Sequence, residues 1–152
     1  MENLIERYKS FLDNGKTERE CVKEVIERAE KEGYKNLDSV STLSPGDKVY
    51  VVEYGKAIAL YHIGKGDMEK GMNVLGAHID SPRLDIKMNP LYESDGIVYL
   101  DTHYYGGITN YLRVALPLAL HGVVAKKDGT VVNVVIGEDP SDPVLGISDL
   151  LI

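Results

Sequence analysis

An α/β fold is predicted by three features of this sequence. Two amphipathic helical patterns open the chain, an apolar run in its middle ends at a histidine, and much of the rest is rich in Val, Ile and Tyr between short turn signals. Buried apolar strands suit parallel or mixed sheets, and the leading helices supply a second layer.

The first helix is predicted over residues 2–12, where Leu4, Ile5, Tyr8, Phe11 and Leu12 recur at three- and four-residue spacings. Asn14-Gly15 stops it. Thr17-Glu18-Arg19-Glu20 reads as a capping box, and Cys21, Val22, Val25, Ile26 and Ala29 form the apolar stripe of a second helix that ends before Gly33. This helical pair is read as structural packing against a sheet, with a lid or an arm as the alternatives. Residues 36–43 are polar and irregular, and Ser44-Pro45-Gly46-Asp47 is a turn. Residues 48–54 and 57–63 flank Gly55-Lys56 as a hairpin. Gly64-Lys65-Gly66-Asp67 lacks the full phosphate-loop pattern and is read as a loop.

Residues 74–77, Val-Leu-Gly-Ala, have no polar face and predict a buried strand running to Ile79. Alternation continues from Leu84 to Met88, and Ser94-Asp95-Gly96 leads into a short strand over residues 97–100. His103-Tyr104-Tyr105-Gly106-Gly107 is predicted to be a loop. The run from Val114 to Leu120, broken by Pro117, is followed by Val123-Val124, the turn Lys127-Asp128-Gly129 and residues 131–136, which together predict strands around a tight turn. Gly137 to Pro143 is an acidic, proline-punctuated turn, and a further element starts at Ile147.

The chain has 152 residues, 43% hydrophobic and 27% charged, enough for one domain or a little more. Its net charge of −7 and the lack of a Lys/Arg run argue against nucleic acid and anionic membrane surfaces as partners. No apolar stretch reaches the ~20 residues that span a bilayer. One cysteine, Cys21, cannot form an internal disulfide and fits a reducing, cytoplasmic compartment.

Chemistry concentrates at His78-Ile79-Asp80. In a strand, His78 and Asp80 point to one side while Ile79 points into packing. A metal-bound imidazole donates its other ring N–H to an acceptor that fixes tautomer and orientation, and a carboxylate serves that purpose. The spacing alone equally fits a histidine hydrogen-bonded at a strand end. In an open α/β sheet, ligands bind beyond the carboxyl ends of strands, which is where this pair would project. Arg83 and Asp85 flank the motif and fit either the orientation of substrate or a surface or structural ion pair, and they are not assigned. His62 and His121 read as packing or structural histidines, and His103 as a hydrogen-bonded loop histidine with a ligand or substrate contact as the alternative.

The run GAHIDSPRLDIK, with NPLYE, DTHYYGG, PLALHGVV and IGEDPSDPV after it in order, resembles the M18 family of metalloaminopeptidases, which includes aspartyl aminopeptidase. The resemblance covers almost the whole chain. It implies a two-zinc site with His78 as a metal ligand and Asp80 as the catalytic residue assisting it, a peptide substrate, and assembly into homo-oligomers. It also implies a fold of N-terminal helices and part of an α/β metallopeptidase sheet in residues 1–89, followed by the start of a β-rich dimerisation domain in residues 90–152.

A two-metal peptidase needs bridging carboxylates and a general base. The family's base lies in a Glu-Glu pair, and no Glu-Glu dipeptide occurs here. The expectation is therefore an N-terminal fragment of a zinc-dependent aminopeptidase, inactive alone. The alternatives are a non-catalytic β-rich interaction or assembly module, and a related cocatalytic metallopeptidase family.

Overall fold

The structure is a computed structural model that describes residues 3–107 and 116–147. It is a mixture of helices and sheets, and the chain divides into two compact units, Met1–Asp80 and Ser81–Ile152.

In the first unit, α1 (Leu4–Asn14) begins where the Asn3 side chain accepts the Ile5 N–H, and it ends as Gly15 N–H donates to Phe11 O. Helix α2 (Glu18–Lys31) carries the predicted capping box, with Thr17 and Glu20 satisfying each other's backbone N–H groups. Its far end is a Schellman turn, in which Tyr34 N–H reaches Ala29 O and Gly33 N–H reaches Glu30 O. The helices are tied by Arg28, whose guanidinium lies 5.5 Å from the Phe11 ring centroid and donates to Arg7 O.

Strand β1 (Lys35–Asn36) pairs parallel with β2 (Lys48–Glu53), and β2 pairs antiparallel with β3 (Ala57–His62). The predicted hairpin is present, whereas β1 lies at the edge of and within a stretch read as irregular. Its two residues become a strand because β2 offers the ladder opposite them. Val49 and Tyr50 alternate across the sheet and both are buried, so β2 is covered on both faces at this point. With Cys21, Val22 and Ala29 of α2 they are the buried apolar residues among those described. Lys48 and Tyr50, two apart on one face, reach α2 and its end: Tyr50 OH donates to Glu30 Oε1 at 2.8 Å, and Lys48 Nζ to Glu32 O at 2.9 Å.

The Tyr50–Glu30 hydrogen bond raises the Tyr50 pKa above its ordinary 10.0, helped by burial and the Glu30 charge. Burial, then the Glu20 and Glu18 charges, raise the Cys21 thiol above 9.0. Both groups are neutral when protonated, so the folded state holds these protons more tightly than the unfolded chain does. The stability this supplies is complete below the ordinary values and is lost as pH rises through the folded ones. Unfolding free energy is expected to decline as pH climbs beyond 9.0 and then 10.0. Tyr50→Phe should flatten the later part of the decline. Urea titrations across that range check this, and a profile unchanged by Tyr50→Phe contradicts it.

Residues 71–82 carry no regular secondary structure, which corrects the predicted buried strand over 74–79. Leu75 is fully exposed and Val74 is 77% exposed. An apolar run supplies side chains for burial but no partner for its own N–H and C=O groups. Among the described residues no strand pairs with it.

The second unit is built from two antiparallel hairpins, β4 (Arg83–Ser94) with β5 (Ile97–Tyr105) and β6 (Leu120–Ala125) with β7 (Val131–Ile136). β4 continues through Asn89 and Pro90 instead of breaking there. The ladder passes from Ile86↔Thr102 to Leu91↔Leu100, so Lys87, Met88, Asn89 and Pro90 bulge opposite Asp101. A bulge accommodates Pro90, which has no N–H to give the ladder. His103, Tyr104 and Tyr105 belong to β5, a correction to the predicted loop, because Asp85, Leu84 and Arg83 pair with them. The Asp95-Gly96 turn closes this hairpin with positive φ at both residues, 54° and 76°. Val114 and Ala115 of the predicted 114–120 run, and residues 148–152 of the element predicted to start at Ile147, lie outside the described residues.

Candidate functional site

The site is built on the carboxyl-terminal end of the irregular 71–82 segment. His78 Nδ1 lies 2.9 Å from Asp80 O and 3.3 Å from Asp80 Oδ1. A carbonyl oxygen can only accept, so Nδ1 carries the proton. In the neutral ring the lone pair is then on Nε2. The imidazole side chain is 86% exposed, and Asp80 is less so at 41%. The geometry thus sets the tautomer in which Nε2 is available to a metal. It does so through the backbone carbonyl as well as the carboxylate, whereas the sequence spacing pointed to the carboxylate alone.

Behind this pair lies Cys21. Its Sγ is 3.1 Å from Gly15 O and 3.7 Å from Ile79 O, the carbonyl between His78 and Asp80. Nothing in the sequence signals this contact across 58 positions.

The other candidates are distributed elsewhere. In the second unit Arg83 Nε donates to Asp85 Oδ1 at 2.7 Å, and the guanidinium stacks over the Tyr105 ring with Cζ 4.0 Å from its centroid. That is a half-buried structural pair supported by an aromatic face. His103 Nδ1 sits 3.3 Å from Tyr104 O on β5. His121 on β6 holds Glu138 Oε1 with Nε2 at 2.9 Å, a partner that sequence reading missed because it lies past the end of the facing strand. His62 lies at the end of β3, opposite Lys48.

The acidic turn is organised by its own side chains. Asp142 Oδ2 accepts from Gly137 N and Asp139 N, while Asp139 Oδ1 accepts from the Ser141 hydroxyl at 2.6 Å and the Ser141 N–H at 2.8 Å. The Ser141 hydroxyl, and then its N–H, hold the Asp139 carboxyl below its ordinary range.

A tetrahedral zinc takes four ligands, and a histidine contributes one nitrogen. His78 fits one such position by tautomer and exposure. No cluster of three or more His, Cys, Asp or Glu side chains suited to a metal occurs among the described residues. No helix among them is long and apolar enough to cross a membrane.

Comparison with known proteins agrees with the motif. The sequence pattern of the M18 peptidases matches residues 11–152. A probable M18 family aminopeptidase 1 from Clostridium acetobutylicum is 56% identical over 98% of this chain and 33% of its own length. The corresponding protein of Thermotoga maritima is 43% identical over 99% of this chain and 33% of its own. The crystal structure of aminopeptidase I from Borrelia burgdorferi superposes with a TM-score of 0.88 at 41% identity, covering 95% of this chain and 36% of that one. The chain therefore spans about a third of the length of the curated relatives it matches. It belongs to the M18 peptidases, the family described as aminopeptidase I zinc metalloproteases.

Proposed function

We propose that this chain is part of a zinc-dependent aminopeptidase that removes N-terminal residues from peptides. His78 is a zinc ligand through Nε2, and Asp80 is the catalytic residue that fixes its tautomer and orientation. The observation that carries the reading is the clasp of His78 Nδ1 by Asp80, inside a motif shared with the M18 family. A bound zinc supplies Lewis acidity toward the scissile carbonyl and the attacking water. The chain's own contribution is a pre-set, outward-facing imidazole nitrogen. A two-metal site needs further carboxylates and a general base from elsewhere in a longer protein.

In the same reading, residues 1–89 belong to the catalytic α/β domain and 90–152 begin a β-rich dimerisation domain. The protein works as a cytoplasmic homo-oligomer. The exposed apolar residues Leu91, Val98 and Leu100, which share one face of the β4–β5 hairpin, support assembly, since an isolated two-stranded hairpin needs a covered face. The same surface favours the second reading, a non-catalytic assembly module.

Zinc titration of the 152-residue chain, followed by the imidazole resonances, separates the two. Wild type is expected to bind zinc weakly at His78. His78→Ala should abolish that binding, and Asp80→Ala should weaken it about 10- to 100-fold. Equal zinc affinity in wild type and His78→Ala would sink the metal-site reading and leave the assembly module.

A further inference from the structure

Cys21 stands at the first turn of α2 and is 4% exposed. The chain is fitted around its sulfur. A Cβ built on Gly15 would come within 2.8 Å of Sγ, so only glycine leaves this space open. From that seat the thiol's single proton has two carbonyl oxygens in reach, Gly15 O at 3.1 Å and Ile79 O at 3.7 Å, and it is shared between them.

The second contact bears on the candidate site. Ile79 O belongs to the planar peptide that joins Ile79 to Asp80, so seating this oxygen also orients the bond leading into Asp80. The clasp between His78 Nδ1 and the Asp80 carbonyl and carboxylate closes across that same plane. Residues 71–82 have no ladder of their own to hold the plane still. A sulfur fixed on a helix takes over part of that task.

We infer that Cys21 is a positioning residue for the imidazole of His78: by seating the Ile79 carbonyl, its thiol holds the peptide across which Asp80 grips Nδ1 and keeps the lone pair on Nε2. The link to zinc rests on the reading of His78 as a ligand. The positioning of the ring can be measured without metal.

The test uses the ¹⁵N-labelled 152-residue chain at about pH 8, above the ordinary imidazole range, where ring nitrogen shifts report the neutral tautomers. Wild type should show His78 predominantly as the Nδ1–H form. Cys21→Ala and the volume-filling Cys21→Val should show mixed tautomers and a zinc affinity at His78 about 10-fold lower. Cys21→Ser, which keeps a donor, should retain most of the wild-type pattern. A thiol that merely fills the core would lower the melting temperature of Cys21→Ala and leave the tautomer alone, and that result overturns the inference. Should the alanine and valine variants not fold, the S–H infrared band of wild type decides. The chain has one cysteine, and a band at the position of an unbonded thiol overturns the inference, while a bonded thiol band together with a ¹³C-labelled Ile79 amide I band that shifts in Cys21→Ser supports it, and an Ile79 band unmoved in Cys21→Ser overturns it. If the tautomer follows Cys21 but zinc leaves the His78 resonances unmoved, the positioning role stands and the zinc reading falls.

Discussion

Gly137→Ala is expected to cost about 2–6 kcal/mol in the β6–β7 region. Gly137 has φ +98°, where a Cβ brings backbone strain, and strain of that kind costs about 1–3 kcal/mol. The new Cβ would also lie 2.8 Å from Leu118 O and 3.1 Å from Ala119 Cα. Both obstacles are main-chain atoms, so no flexible side chain can move aside, and overpacking adds about 1–3 kcal/mol. The same residue donates its N–H to Asp142 Oδ2 at 2.8 Å, which leaves the turn little room to shift. Amide hydrogen exchange at Gly122, Val124, Val132 and Val134, whose N–H groups face the partner strand, reads the loss directly. Protection should fall by at least a factor of about ten, which corresponds to 1.4 kcal/mol. Unchanged protection would mean that the turn relaxes freely and that the close approach at Gly137 is not constraining.

Val49→Ala is expected to destabilise the three-stranded sheet by about 2–3 kcal/mol. Val49 is 2% exposed in a core with few members, so its two lost methyl groups leave a cavity that little else can fill. In this small unit such a loss is a large fraction of a typical stability. Exchange at the amides of β2 and β3 should report it. The control is Leu60→Ala on the neighbouring strand: Leu60 is 42% exposed, and its loss should cost less. Equal losses at the two positions would refute the placement of the core at β2.

These two effects could be foreseen to different degrees in the sequence, and the difference is physical. The capping box at Thr17 and Glu20, the Asp95-Gly96 turn and the β2–β3 hairpin were legible because each is specified by residues within a few positions of one another. Val49 fell within a run whose strand character was plain, although its burial on the first of two covered faces was not. The strand status of Lys35, Asn36, His103 and Tyr104 is conferred by the residues opposite them, and no local pattern carries that information. The 74–79 run shows the converse: strong apolar character with no ladder partner among the described residues. At the candidate site the His78–Asp80 contact was anticipated from the alternation of a strand, yet it forms in a segment that is not a strand. The accepting backbone carbonyl and the Cys21 sulfur behind it depend on how a helix and a distant segment meet.

The antiparallel pairings have a kinetic consequence. β2 pairs with β3, β4 with β5, and β6 with β7, each with the very next strand across a short turn. Loop closure of this kind is fast, with hairpins forming in about 1–10 μs, whereas ribosomes add about 5–20 residues per second. Each hairpin can therefore zip up as soon as its second strand leaves the exit tunnel, and the order of synthesis becomes the order of folding. For a chain with strand positions as exposed as Val98, early closure pairs one edge of each strand while neighbouring nascent chains are still within reach.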